Sequence, residues 1–218
     1  DIRPNTKTYS TVIDAWKKSG SKKAGPRAEA VLSRMIEQRK QGRIESDPDI
    51  FCYSILIDAW AKTGGVKAAQ RAEDILSIME ESDDPQLHPL QRSYNSVMNA
   101  WARSRVKDAG SRAEAILNRL IQRHRQGLID TKADQFSYNT VLNAWAKCAG
   151  MDAAQHAEDI LSMMEESNDP MLSPSRLTYN TVMDAWARSG AEDAGRNAEA
   201  LLQRMLERHG QGCLNCAP

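Results

Sequence analysis

The positions of the aromatic residues restrict this chain more than any other feature. Tyr falls at 9, 53, 94, 138 and 179, and Trp at 16, 60, 101, 145 and 186. Each Trp follows its Tyr by seven residues, and successive units are spaced 44, 41, 44 and 41 residues apart. Both Phe residues, Phe51 and Phe136, precede a Tyr by two. Every aromatic side chain therefore lies on one lattice, and a period of this length indicates an array of repeats.

Within each unit, Tyr, the apolar residue four later (Ile13, Ile57, Met98, Leu142 or Met183) and Trp fall on one helical face. A Gly follows at 20, 64 and 190, and one residue later at 150, where a left-handed helix stop is expected; Arg105 departs from this rule. A second segment repeats Ala-Glu-x-(Ile/Leu/Val)-Leu-x-x-(Met/Leu), as in Ala72, Ile75, Leu76 and Met79, and gives a second apolar helical stripe. This segment ends in Gln-Gly at Gly42, Gly127 and Gly212, and in Asp-Pro at Pro85 and Pro170. No period-two alternation and no Asn-Gly hairpin signal occurs. A helix pair of this kind buries its stripes only by stacking on neighbours.

The predicted fold is all-α: an α-solenoid of five stacked helix–turn–helix repeats forming a right-handed superhelix. It is read as a single array over 1–218, with units at about 6–49, 50–90, 91–134, 135–175 and 176–218. The Tyr and Trp sets are expected mostly in its core. Both ends match repeat boundaries without a polar capping face. This predicts a segment of a longer array whose targeting sequence lies outside the chain.

Composition excludes several classes. Lys and Arg number 29 against 29 Asp and Glu, so the formal net charge is zero, which argues against an indiscriminate polyanion binder. Mean hydropathy is −0.59 and no apolar run approaches the roughly 20 residues of a bilayer span, so no membrane segment is expected. Four Cys are too few for a disulfide scaffold. Cys213 and Cys216 have CxxC spacing but lack a second ligand pair, so no metal site is expected; Cys52 and Cys148 are expected to be free thiols. His88, His124, His156 and His209 do not converge on a nucleophile or carboxylate pair, and no Gly-rich phosphate loop occurs. Neither catalysis nor a cofactor is expected.

The residues of the first helix that do not pack are regular too. After each Tyr comes Ser10, Ser54, Asn95, Asn139 or Asn180; five after it, Asp14, Asp58, Asn99, Asn143 or Asp184; nine after it, Lys18, Lys62, Arg103, Lys147 or Arg188. Steps of four keep these on one face. One reading is a solvated surface with Asp14–Lys18 and Asp58–Lys62 as ordinary ion pairs. The other is a nucleic-acid groove, with cations on phosphates and Ser or Asn on base edges. Ion pairing alone requires neither a Ser or Asn beside the Tyr nor Asn99 and Asn143 before their cations. Four before each Tyr stand Asn5, Asp49, Leu90, Asp134 and Ser175, four of them good N-cap residues.

Tyr-Asn-Thr-Val-Met-Asp-Ala-Trp-Ala-Arg-Ser-Gly at 179–190, the Ala-Glu-x-x-Leu-x-x-Met segment and Pro48-Asp49 before the next unit resemble pentatricopeptide repeats over essentially the whole chain. The 41- and 44-residue units are longer than that family's, with the excess in turns, and Trp stands where the family more often has a smaller residue. The resemblance implies a single-stranded-RNA-binding solenoid of a mitochondrion or plastid, reading about one base per repeat. It implies base selection by the residue after the Tyr together with the last residue before the next unit. Ser10 with Asp49 would favour G, Asn95 with Asp134 U, and Asn139 with Ser175 C. Ser54 with Leu90 matches no combination, and Asn180 has no second residue in this chain. The implied preference is G-x-U-C. Lys7, Phe51, Arg92, Phe136 and Leu177 would stack on bases, and Lys18, Lys62, Arg103, Lys147 and Arg188 would contact phosphates.

Second-helix ends alternate in sign. Arg34, Arg39, Lys40 and Arg43, then Arg119, Arg123 and Arg125, then Arg204 and Arg208, alternate with Glu80, Glu81, Asp83 and Asp84 and with Glu165, Glu166 and Asp169. Adjacent units are expected to complement each other there rather than form a basic stripe. Neutrality is then a cancellation that leaves one cation per unit on the first helices. The alternative function is a helical-repeat scaffold for proteins of an organellar ribonucleoprotein such as a ribosome. Uncapped ends also raise end-to-end self-association.

Overall fold

The computed structural model describes residues 4–210. Within them are ten α-helices, two short 3-10 turns and no strand. The helices are α1 (Thr6–Lys18), α2 (Ala24–Lys40), α3 (Ile50–Thr63), α4 (Val66–Glu80), α5 (Gln91–Ser104), α6 (Ala109–Arg125), α7 (Gln135–Ala146), α8 (Met151–Glu166), α9 (Arg176–Ser189) and α10 (Ala194–Gly210). The 3-10 turns, Pro85–Leu87 and Pro170–Leu172, occupy the longer exits of the second and fourth units. Gly212, Cys213, Cys216 and the side chain of His209 lie outside the described residues.

The leading helices α1, α3, α5, α7 and α9 form one layer in which each packs on the next. Each of the first four trailing helices, α2, α4, α6 and α8, packs against its own leading helix and the following one. This is the nearest-neighbour stacking of an α-solenoid. Tyr9, Tyr94 and Tyr179 are buried, as are Trp101, Trp145 and Trp186, in one core that runs through all units. Tyr53, Tyr138, Trp16 and Trp60 are half-buried against it.

Local chemistry sets the helix starts. Asn5, Asp49, Asp134 and Ser175 cap the leading helices by accepting from the backbone N–H of Thr8, Cys52, Ser137 and Thr178. Leu90 holds the same N-cap position without a side-chain acceptor. Burial pushes the Cys52 thiol up to about 12, and the Cys52 and Cys148 thiols are free and buried.

Each unit is fastened to the one before it by its Trp. The indole N–H of Trp60, Trp101, Trp145 and Trp186 donates to Glu29, Glu73, Glu114 and Glu158 of the preceding trailing helix at 2.8–2.9 Å. Around this constant bond the joints alternate. Between the second and third units, Arg119 bridges Glu73 and Glu80, and the Tyr94 hydroxyl donates to Glu80 at 2.7 Å. Between the fourth and fifth, Arg204 bridges Glu158 and Glu165, and Tyr179 donates to Glu165. Burial first, then the adjacent carboxylate, raises both phenol pKa values above the ordinary tyrosine range. The expected complementarity of second-helix ends is met by Arg119–Glu80 and Arg204–Glu165.

Joints from an odd to an even unit are closer and less ionic. Gly25 and Gly110 lie directly under the Trp60 and Trp145 rings; a Cβ on Gly25 would stand 2.5 Å from the ring of Trp60. Ile121, Tyr138 and Met163 line a groove of about 410 Å³ where Arg119-type bridges would otherwise sit. Polar groups over the indoles vary: Arg71 pairs with Glu29 at 2.5 Å, whereas His156 stacks on Trp145 with ring centres 4.5 Å apart.

Helix stops contain one exception that costs energy. Gly190 ends α9 in the left-handed conformation, and Arg105 ends α5 in the same region at φ 60°, the one non-glycine residue with positive φ among those described. A side chain there costs roughly 1–2 kcal/mol. Arg105→Gly is therefore expected to stabilise the protein by about 1 kcal/mol in urea unfolding, with the m-value unchanged.

Candidate nucleic-acid interface

The capping residues and the residues after each Tyr converge because leading helices pack side by side. Ser137, the third residue of α7, faces back to α5. Its hydroxyl lies 2.8 Å from Asn95 Oδ1 and 3.0 Å from Asp134 Oδ1. One unit on, Thr178 Oγ1 donates to Asn139 Oδ1 at 2.9 Å and lies 3.1 Å from Ser175 Oγ. Asn95 with Asp134, and Asn139 with Ser175, are thus each held by one hydroxyl. Both Asn side chains spend their carbonyl oxygen inward, and Nδ2 has no partner among the described residues.

The earlier units differ. At the first junction Cys52 occupies the place of that hydroxyl; Ser10 donates to its own helix at Lys7 O, and Asp49 only caps α3. At the second, Ser54 is 3% exposed and bonds Ser93 Oγ at 3.2 Å, while Leu90 is exposed. Asn180 is exposed. The side chains two before each Tyr point outward at 51, 136 and 177: Phe51, Phe136 and Leu177 are 59%, 63% and 65% exposed. Lys7 is exposed, and Arg92 pairs with Asp58 at 3.6 Å.

The cation row is not uniform. Asp14 holds Lys18 and Lys17 at 2.5 and 2.6 Å, which draws its carboxyl below the usual range. The expected Asp58–Lys62 pair does not form, because Asp58 accepts from Ser96 at 2.5 Å and faces Arg92. Arg188 is held by Asp184 at 3.0 Å. In the third and fourth units Asn99 and Asn143 replace the acid, and Arg103 and Lys147 have no carboxylate partner among the described residues. Partial burial, followed by the charges of Arg103, Arg105 and Arg188, holds the Lys147 ammonium below the ordinary lysine value. Arg105 thus joins this cluster, a role its mismatch with the glycine rule signals in the sequence. The bridging residues Ser137 and Thr178, and the Glu of each Ala-Glu pair, are the other positions that sequence reasoning passes over. Their signals are a small polar residue just before most Tyr residues and the invariance of Glu at 29, 73, 114, 158 and 199.

Among the described residues no group of three or more His, Cys, Asp or Glu is placed to hold a metal ion, and no helix is long and apolar enough to cross a membrane. The fold and this surface define a helical-repeat protein of the α-solenoid class. No protein-family profile matches the sequence, and no curated protein matches it. Among solved structures the chain is similar to the pentatricopeptide repeat protein PPR10 from maize, with 18% identity and a TM-score of 0.34 over 98% of this chain. The chain spans 34% of the length of that one.

The Lys147 environment gives a direct test. Asn143→Asp places a carboxylate four residues before the lysine, as Asp14 stands to Lys18. The Lys147 pKa is expected to rise toward the ordinary value in an NMR titration of dimethylated lysines; an unchanged value overturns the assignment.

Proposed function

We propose that this array binds single-stranded RNA along its leading helices, with the footprint centred on the third to fifth units. The observation that carries the reading is the cluster of Arg103, Arg105, Lys147 and Arg188, in which the first three lack a carboxylate partner among the described residues, beside two preformed Asn-containing pairs. Like charges held together without acids gain most from a bridging anion, and phosphate is that anion in a nucleic-acid backbone. The cost of keeping Arg105 left-handed fits a residue retained for contact rather than for stability.

The base chemistry follows from which atoms remain unused. Asn95 Nδ2 donates and Asp134 accepts, which complements a carbonyl and the N3–H of uracil. Asn139 Nδ2 with the Ser175 hydroxyl, which both donates and accepts, suits cytosine. Phe136 and Leu177 supply faces for the flanking bases, and base–aromatic stacking is worth about 1–3 kcal/mol per base. Phe51, the other exposed aromatic, offers a like face to an upstream base. Ser10 and Asp49 are not bridged and Ser54 is enclosed, so the U-C portion of G-x-U-C carries most of the selectivity. The reading includes a role in RNA metabolism of a mitochondrion or plastid, alongside other proteins of a ribonucleoprotein and without a catalytic step, and the resemblance of the repeats to pentatricopeptide units supports it.

Fluorescence anisotropy of labelled RNA 10-mers tests the reading. A GAUC-containing oligomer is expected to bind about tenfold tighter than one with U-C changed to A-G. About three neutralised phosphates predict a salt slope near −2, and Arg103→Ala or Lys147→Ala is expected to flatten it by about 0.7 each. Arg105→Gly is expected to weaken binding while stabilising the fold. Equal affinity for both oligomers overturns the base reading; no binding at low salt overturns RNA binding and favours a protein scaffold.

A further inference from the structure

The alternation of joints amounts to a docking code, and the last unit displays one half of it. Three positions on each of the five trailing helices define the code. The position under the following Trp reads Gly25, Ala69, Gly110, Ala154, Gly195, and the position facing the following Tyr reads Ile36, Glu80, Ile121, Glu165, Leu206. The position that reaches back to the preceding unit reads Arg34, Ile78, Arg119, Met163, Arg204. Odd units thus end in a glycine cradle with an aliphatic lip, and receive a unit that carries Ile or Met. Even units end in Ala with a carboxylate, and receive a unit that carries Arg.

On α10 the odd ending is complete and, among the described residues, uncovered. A Cβ on Gly195 would meet nothing within 4 Å, whereas on Gly25 and Gly110 it would run into the ring of Trp60 or Trp145. Leu202 and Leu206 are 47% and 56% exposed, while Leu117, the counterpart of Leu202 in the third unit, is 2% exposed under the fourth. Glu199, which matches the indole acceptors Glu29 and Glu114, has no partner among the described residues.

We propose that this face of α10 is a docking surface for a partner helical hairpin of the even kind: a leading helix whose Trp lies flat on Gly195 and donates to Glu199, and a trailing helix with an aliphatic residue in place of Arg. The chain itself shows the fit twice, where the second and fourth units sit on the same surface of the first and third. The same code rejects an odd hairpin, including the first unit of a second copy. Docked on α10, the first unit would bring Arg34 and the Tyr9 hydroxyl to Leu206, where Arg119 and Tyr94 have Glu80. A half-buried guanidinium that loses one of its two carboxylates is disfavoured. The end-to-end self-association raised by the uncapped ends is therefore selected against by the joint chemistry.

Tethered hairpins test the code on the intact array. One chain carries residues 1–210 followed by 126–175, which appends an even unit. The other carries 1–210, then 126–134 and 91–134, which appends an odd unit through the same linker. Hydrogen exchange of α9 and α10 amides is expected to slow about tenfold with the even unit and to change less than twofold with the odd one. Gly195→Ala separates docking from general stabilisation. In the chain without an added unit it is expected to leave exchange unchanged or slower, and in the even chimera it is expected to remove the protection. Equal protection by both units, or protection that survives Gly195→Ala, overturns the proposal. Concentration-dependent oligomers of the parent chain in sedimentation overturn the selectivity against a second copy.

Discussion

The bond from each tryptophan indole to the glutamate of the preceding trailing helix is the contact on which the array depends. It recurs at all four junctions with nearly the same length. An indole N–H needs an acceptor when it is taken from water, and a carboxylate is a strong one. Because donor and acceptor belong to successive units, satisfying each tryptophan also fixes the position of one unit on the next. The Tyr seven residues earlier lies on the same helical face, so this register carries over to the whole leading helix.

Around that constant bond, the chain uses two chemistries in turn. Arg119 and Arg204 close the joints that follow acidic trailing helices, while Gly25 and Gly110 let a ring approach closely at the others. The zero net charge has a structural origin here: many of the opposite charges face one another across joints. Glu29, Glu73, Glu80, Glu114, Glu158 and Glu165 on the trailing helices are taken by Trp, Tyr or Arg side chains of the following unit. On the leading helices of the third and fourth units, where Asn99 and Asn143 stand in place of the acid, Arg103 and Lys147 are left without a carboxylate among the described residues. Rigid joints and a polar surface are thus separated between the two helix layers, and the hydroxyls of Ser137 and Thr178 link leading helix to leading helix without drawing on the trailing layer.

Much of the fold was legible because repetition averages the signal. Five copies of a Tyr–Trp stripe with a period near 3.6 leave little room for any element but a helix, and the N-cap residues Asn5, Asp49, Asp134 and Ser175 marked the starts of their leading helices. The candidate surface was legible only as rows. Reading along one helix, Ser54 and Asn95 are equivalent positions; in the structure one is enclosed against Ser93 and the other borders the surface. Likewise Asp58 stands four residues before Lys62, as Asp14 does before Lys18, yet it is taken by Ser96 and Arg92 from the next helix. Neighbours that compete for a side chain lie about 40 residues away, and spacing within one helix does not reveal them.

The sequence by itself determined that the chain is helical, that it repeats in five units, and where each leading helix begins, because these depend on local periodicity and capping. It also determined that the units come in two alternating kinds. Only the tertiary structure decided which equivalent residues remain available. Packing of leading helices side by side buries some polar side chains, pairs others across units, and isolates a few cations from every acid. Those outcomes rest on distances between units, and such distances are set by how closely a ring can approach Gly or Ala at each joint.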